Sequence, residues 1–169
     1  MPRLRLPAGA RLAPIPVEQP AGGQLLLPRL QFRCLVRLPG VIFPYDGVID
    51  TGSPFSWFPH EVWSRFGPGT DFEWLPFSPG YLPPLARTAG WTFRFRIARM
   101  LVPVTLLDAS TEVHRDRVIV QLADGNPSRP TANAPAVVVL GLWGGILEGT
   151  RLHIDADPAT GGLSGTLEF

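Results

Sequence analysis

Val48-Ile49-Asp50-Thr51-Gly52-Ser53 is the stretch on which the reading of this 169-residue chain turns. An extended apolar run, Val41 to Ile49, delivers an aspartate at its end, and the next three residues suit a tight loop. Gly52 permits a backbone turn that residues with a Cβ resist. Thr51 and Ser53 add hydroxyls able to hold the loop and the carboxylate. Asp-Thr-Gly-Ser is also good turn chemistry, but a bare turn requires neither the apolar lead-in nor the pattern on its C-terminal side. Ser56 comes next, then His60 to Phe66, with Val62 and Phe66 four apart and Trp63 beside them; Gly67-Pro68 stops this pattern as a short helix is stopped. Much later Val137-Val138-Val139-Leu140 forms an apolar run that ends in Gly141.

Working outward, the length suits one domain able to bury a core without disulfides or metals. Hydrophobic residues make up 45% and charged residues 17%, which excludes disorder and coiled coil, while 20 prolines and 18 glycines exclude long helices. Short strands are expected in Leu25 to Leu38, Val41 to Ile49, Phe72 to Leu75, Gly90 to Ile97, Leu101 to Leu107, Val118 to Leu122, Ala136 to Leu140 and the alternating tail to Phe169. Residues 1–24, rich in Pro, Gly and Ala, read as a loosely attached arm with one short extended piece around Arg11 to Val17, and residues 25–169 as the domain.

A net charge of +1, with every basic residue an arginine and these scattered, provides no footprint for nucleic acid. Arg94 and Arg96 alternate with apolar residues and read as the wet face of a strand. Cys34, the only cysteine, falls in the apolar alternation Phe32, Cys34, Val36, Leu38 and reads as a buried, inert thiol. No run reaches signal-peptide or membrane-spanning length, so a soluble, cytoplasmic protein is expected. His60, His114 and His153 lie far apart, without ligand spacing, and neither a metal nor another cofactor is expected. Gly162-Leu163-Ser164-Gly165-Thr166 has Thr where a nucleophile elbow needs its second Gly, which disfavours serine hydrolysis.

The Asp-Thr-Gly-Ser motif with its apolar lead-in resembles the active-site loop of aspartic proteases, specifically the retropepsin-like family, across residues 25 to 155 in organisation. The run ending in Gly141 is similar to the family's second element, with Leu147 where its following helical turn carries an apolar anchor. The resemblance implies a mainly β fold, a closed β-barrel half-lobe with one or two short helices and a flap hairpin, here Phe72 to Gly90. It implies Asp50 as the catalytic group and Thr51, Gly52 and Ser53 as its supporting loop. Trp57, Phe58, Trp74 and Tyr81 are candidate substrate-lining aromatics, with core packing the competing and favoured expectation for Trp57 and Phe58. Gly144-Gly145 and the prolines of the flap segment depart from the family pattern.

Peptide hydrolysis of this kind needs one carboxylate to take a proton from water and a second, protonated one to polarise the carbonyl. Two carboxyls about 3 Å apart cannot both ionise, so they share a proton, as aspartic-protease dyads do. The motif occurs once and the chain has no internal repeat, so the resemblance implies a homodimer with both copies of Asp50 on a two-fold axis and a peptide across the cleft. The competing expectation keeps the fold without catalysis, as a dimeric peptide-binding or scaffolding domain.

Overall fold

A computed structural model describes residues 1–6, 11–12, 15–18, 22–27, 30–53, 55–76, 86–88, 91–124, 137–156, 159 and 162–169. Pro and Gly cut the chain into short extended pieces: β1 (Arg3–Leu6), β2 (Arg11–Leu12), β3 (Ile15–Glu18), β4 (Gln24–Leu27), β5 (Leu30–Arg37), β6 (Tyr45–Asp50) and β7 (Ser56–Phe58). One turn of helix, α1 (His60–Trp63), follows β7. The remaining strands are β8 (Phe72–Trp74), β9 (Ala86–Thr88), β10 (Trp91–Met100), β11 (Val104–Leu107), β12 (Glu112–Arg115), β13 (Ile119–Asp124), β14 (Val138–Leu140), β15 (Arg151–Ala156) and β16 (Leu163–Glu168). The fold is mainly β. No helix among the described residues is long and apolar enough to cross a membrane.

Nine strands form one curled half-barrel sheet in the order β12-β11-β5-β6-β14-β7-β13-β10-β8, with β2 beside β5 and β9 beside β10. Alternation directs one face of this sheet inward. Phe32, Cys34 and Val36 of β5, Ile49 of β6, Phe58 of β7, Ala98 and Met100 of β10, Val120 and Leu122 of β13 and Leu140 of β14 make the core. Val62 and Phe66, from α1 and the turn after it, complete that side.

The order contains one crossover that matters. β6 and β7 are consecutive in sequence yet do not pair; β14 lies between them. It runs parallel to β6, with Val138↔Gly47, Val139↔Val48 and Leu140↔Ile49, and meets β7 antiparallel at Val139↔Trp57. The chain beyond β14 then presses on the loop joining β6 to β7. A Cβ on Gly141 would collide with the backbone carbonyl of Phe55, so only glycine fits.

After Gly141 the expected helical turn is absent. Gly144 and Gly145 take φ of +98° and +95°, outside helical space. The backbone there bonds sideways instead: Ile119 N–H donates to Gly144 O at 2.7 Å, and Arg115 Nε–H to Ile146 O at 2.8 Å. Ile146 and Leu147 are nonetheless buried, so the apolar anchor exists without a helix. Earlier in the chain, α1 covers only His60–Trp63 of the expected span to Phe66, and the strand β12 has no counterpart among the elements expected from the sequence.

Residues 3–6 are not loosely attached. β1 pairs with β16, and β16 with β15, in a separate three-stranded sheet. Leu4, Leu6 and Leu167 enter the core. Arg5 N–H donates to Asp108 Oδ2 at 2.7 Å, and Phe169 N–H to Pro2 O at 3.1 Å. The alternation Arg3, Leu4, Arg5, Leu6 is the signal for this strand, obscured by the Pro and Gly after it. β3 and β4 form a two-stranded sheet of their own, and β4 spans the expected boundary at residue 24.

Arg96 also differs from its expected hydrated role. It shares a face of β10 with Ala98 and Met100, and its guanidinium lies 3.5 Å from the centre of the Trp74 ring, a stacked rather than a hydrated cation. Cys34 lies in the core at 2% exposure. Burial, with the nearby Asp46 carboxylate adding to it, pushes its thiol from 9.0 up to about 12. A raised value means the folded state keeps a proton that the unfolded chain releases. This contribution to stability is intact below pH 9.0 and is lost as pH climbs toward about 12.

Gly141→Ala lowers the unfolding free energy in urea by about 3 kcal/mol, through overpacking against Phe55. Gly40→Ala, at a turn with φ +73° and open space around it, costs only about 1 kcal/mol. In native protein at pH 8 the Cys34 thiol stays unreactive to a disulfide reagent and reacts fully after denaturation; rapid native labelling would contradict its burial.

Candidate active site

Asp50 ends β6 where that strand has β5 on one side and β14 on the other. Its backbone is therefore held by the sheet, and the loop beyond it closes through Ser53 N–H donating to Asp50 O at 3.0 Å. The side chain is fixed as well. Oδ1 accepts from Gly52 N–H at 3.0 Å, and Oδ2 accepts from Gln31 Nε2–H at 2.9 Å. Asp50 is 3% exposed and Gln31 8%.

Thr51 and Ser53 hold the loop. Thr51 N–H and Oγ1–H donate to Leu30 O at 3.1 and 3.3 Å, and Oγ1 accepts from Leu30 N–H at 3.1 Å. The hydroxyl thus continues the β5–β6 ladder one step past its last strand pair. Ser53 Oγ–H donates to Phe55 O at 2.8 Å, and Ser53 O accepts from Leu142 N–H at 3.1 Å. Ser56, fully buried, accepts at Oγ from Gly141 N–H at 3.0 Å. The run ending in Gly141 is therefore bonded to both ends of the loop after Asp50.

The lining residues expected from the sequence separate. Trp57 is half-buried and shares a face of the sheet with Asp50. Register runs from Val48, two residues before Asp50, across to Val139, Trp57 and Gln121. Phe95 meets Trp57 edge-on, ring centres 5.9 Å apart, and with Ala123 makes a small cluster there. Trp74 belongs to the opposite face. It pairs with Ala98 and packs against Trp63 and Phe72 at 5.7 and 4.7 Å, so the structure does not bring it to Asp50. Phe58 is core. Tyr81 lies outside the described residues.

The expected flap segment, Phe72 to Gly90, is described at its two ends. β8 pairs with residues Ala98 to Met100 of β10, and β9 pairs with residues Trp91 to Phe93 of the same strand. The placing of Gln31, and of half-buried Val48 and Val139, on the face that carries Asp50 has no signal in the local sequence. Gln31 stands in the alternation with Arg33 and Arg37 as one more polar residue; only the pairing Gln31↔Asp50 marks it out. Leu142 and Trp143, exposed beside the Asp50 loop, were also unforeseen, and Trp143 meets Phe55 edge-on at 6.0 Å.

Comparison of the chain with protein families, with curated proteins and with solved structures finds no match. The geometry therefore stands by itself: a carboxylate with an N–H donor on each oxygen, on a loop braced by hydroxyls and by a second strand.

Ser56→Ala strands the Gly141 N–H in a buried place. It lowers the unfolding free energy by about 2 kcal/mol in denaturant titration, the cost of an unsatisfied buried donor. A change below a few tenths would show that this bond does not brace the loop.

Proposed function

We propose that the chain is a retropepsin-like aspartic endopeptidase that acts as a two-fold homodimer. Asp50 of each copy shares one proton with its mate and activates the water that adds to a peptide carbonyl. The observation that carries this reading is the held carboxylate: Asp50 at a strand end, its oxygens bonded to Gly52 N–H and Gln31 Nε2–H, in a loop pressed by Gly141. A turn aspartate has no need of a second strand wedged beneath its loop.

The pair divides the work. One carboxylate takes a proton from water as the oxygen adds to the carbonyl carbon, and the protonated partner polarises the carbonyl oxygen. No covalent intermediate with the protein forms. The single Asp50 supplies one carboxyl, and two-fold symmetry supplies the other. Exposed Leu142 and Trp143, next to the loop, give a second copy apolar surface to cover.

Substrate fits the face that carries Asp50. Val48, Val139 and Trp57 make a half-buried apolar row in register across three strands, suited to the apolar side chains of an extended peptide.

Asp50→Asn keeps the size and one accepting oxygen, for Gly52 N–H, and Gln31 can turn its amide to accept from the new Nδ2–H, so only the acid is removed. Cleavage of an unstructured protein substrate at acidic to neutral pH falls a thousandfold or more, within the range of about 10²–10⁴ for loss of a general acid–base group, while the melting temperature stays close to that of the wild type. Undiminished cleavage by the variant refutes the assignment. Peptide binding by both proteins with cleavage by neither makes the chain a binding domain.

A further inference from the structure

We propose that Gln31 is a positioning residue for the Asp50 carboxylate, a role that rests on the aspartic-protease reading of Asp50. In the antiparallel ladder of β5 and β6, Gln31 is the direct partner of Asp50, so the two side chains leave the same face of the sheet side by side. Gln31 Nε2–H donates to Oδ2 at 2.9 Å while Gly52 N–H donates to Oδ1 at 3.0 Å. Donors on different oxygens, one from β5 and one from the loop after β6, fix both the direction of the carboxyl group and the rotation of its plane.

The residue type fits this task. A carboxamide carries donors and one acceptor, and the acceptor oxygen facing a carboxylate would repel it, so the nitrogen end must face Asp50. Withdrawing an amide from water to 8% exposure is costly without such a bond. The other polar residues on this face of β5, Arg33 and Arg37, pair with the carboxylates of Asp46 and Glu112 through charge. At position 31 a neutral donor stands where an arginine would bind the carboxylate as an ion pair and oppose proton sharing. Misplacement of a catalytic group by about 1 Å is enough to cost orders of magnitude in rate, and orientation is what Gln31 supplies.

Gln31→Met keeps length and shape without a donor. Gln31→Asn keeps the amide but draws it back by one methylene. In both, kcat falls roughly tenfold, equal to about 1.4 kcal/mol of lost transition-state stabilisation, and KM stays within about twofold because the peptide-binding row is untouched. Carbon-13 spectra of the side-chain carboxyls, read on the folded chain without substrate, show the Asp50 resonance displaced in both variants. An unmoved Asp50 resonance overturns the proposal, and so does a normal kcat in either folded variant. KM and melting temperature falling out of range together, with kcat unchanged, would make Gln31 a packing residue only. These outcomes are separate from the failure of the underlying reading, which is turnover that survives Asp50→Asn.

Discussion

The close approach of Gly141 to the backbone of Phe55 is the constraint on which the rest depends. A β-strand cannot sit between two consecutive strands unless the connection joining them lets the inserted chain pass, and here the passage leaves no room for a Cβ. With β14 in place, β6 is paired on both sides and Asp50 is presented at a defined point. The bonds from Gly141 to Ser56 and from Leu142 to Ser53 then turn the loop into part of the sheet. Rigidity at the carboxylate is thus a consequence of topology rather than of the loop residues alone.

A second consequence concerns the two faces of the curled sheet. Among the described residues the inward face is filled by large apolar side chains. The outward face near Asp50 carries half-buried Val48, Val139 and Trp57, which neither belong to the main core nor are fully hydrated. An apolar row of this kind, running from a fixed carboxylate toward β10, is what distinguishes this end of the molecule from the terminal sheet, where charges such as Arg3 and Glu168 pair across the surface and add little.

Much of this was legible in the residues. Alternation in Phe32, Cys34 and Val36 and the lead-in to Asp50 pointed to β5 and β6 because each has one buried face. The run before Gly141 was recognisable as an apolar strand, but its place between β6 and β7 was not, since parallel pairing over a separation of about ninety residues leaves no local trace. Gln31 was invisible for the same reason: its meaning comes from a partner nineteen positions away. Arg96, whose alternation suggests a hydrated cation, stacks instead on Trp74 where β10 passes the end of the core, a contact between separate strands that leaves no local pattern. Residues 3–6 show the limit of reading composition: four residues of clean alternation were outweighed by the prolines and glycines around them.

The central claim is that two copies of Asp50 make one catalytic unit, and mixing tests it most directly. Wild-type protein and the Asp50→Asn variant are combined at constant total concentration, allowed to exchange subunits, and assayed for peptide cleavage. If a competent site needs an intact carboxyl from each subunit, activity follows the square of the wild-type fraction, so an equal mixture keeps about a quarter of the full rate. A linear dependence, with half the rate retained, would mean that each chain works by itself and would contradict the account.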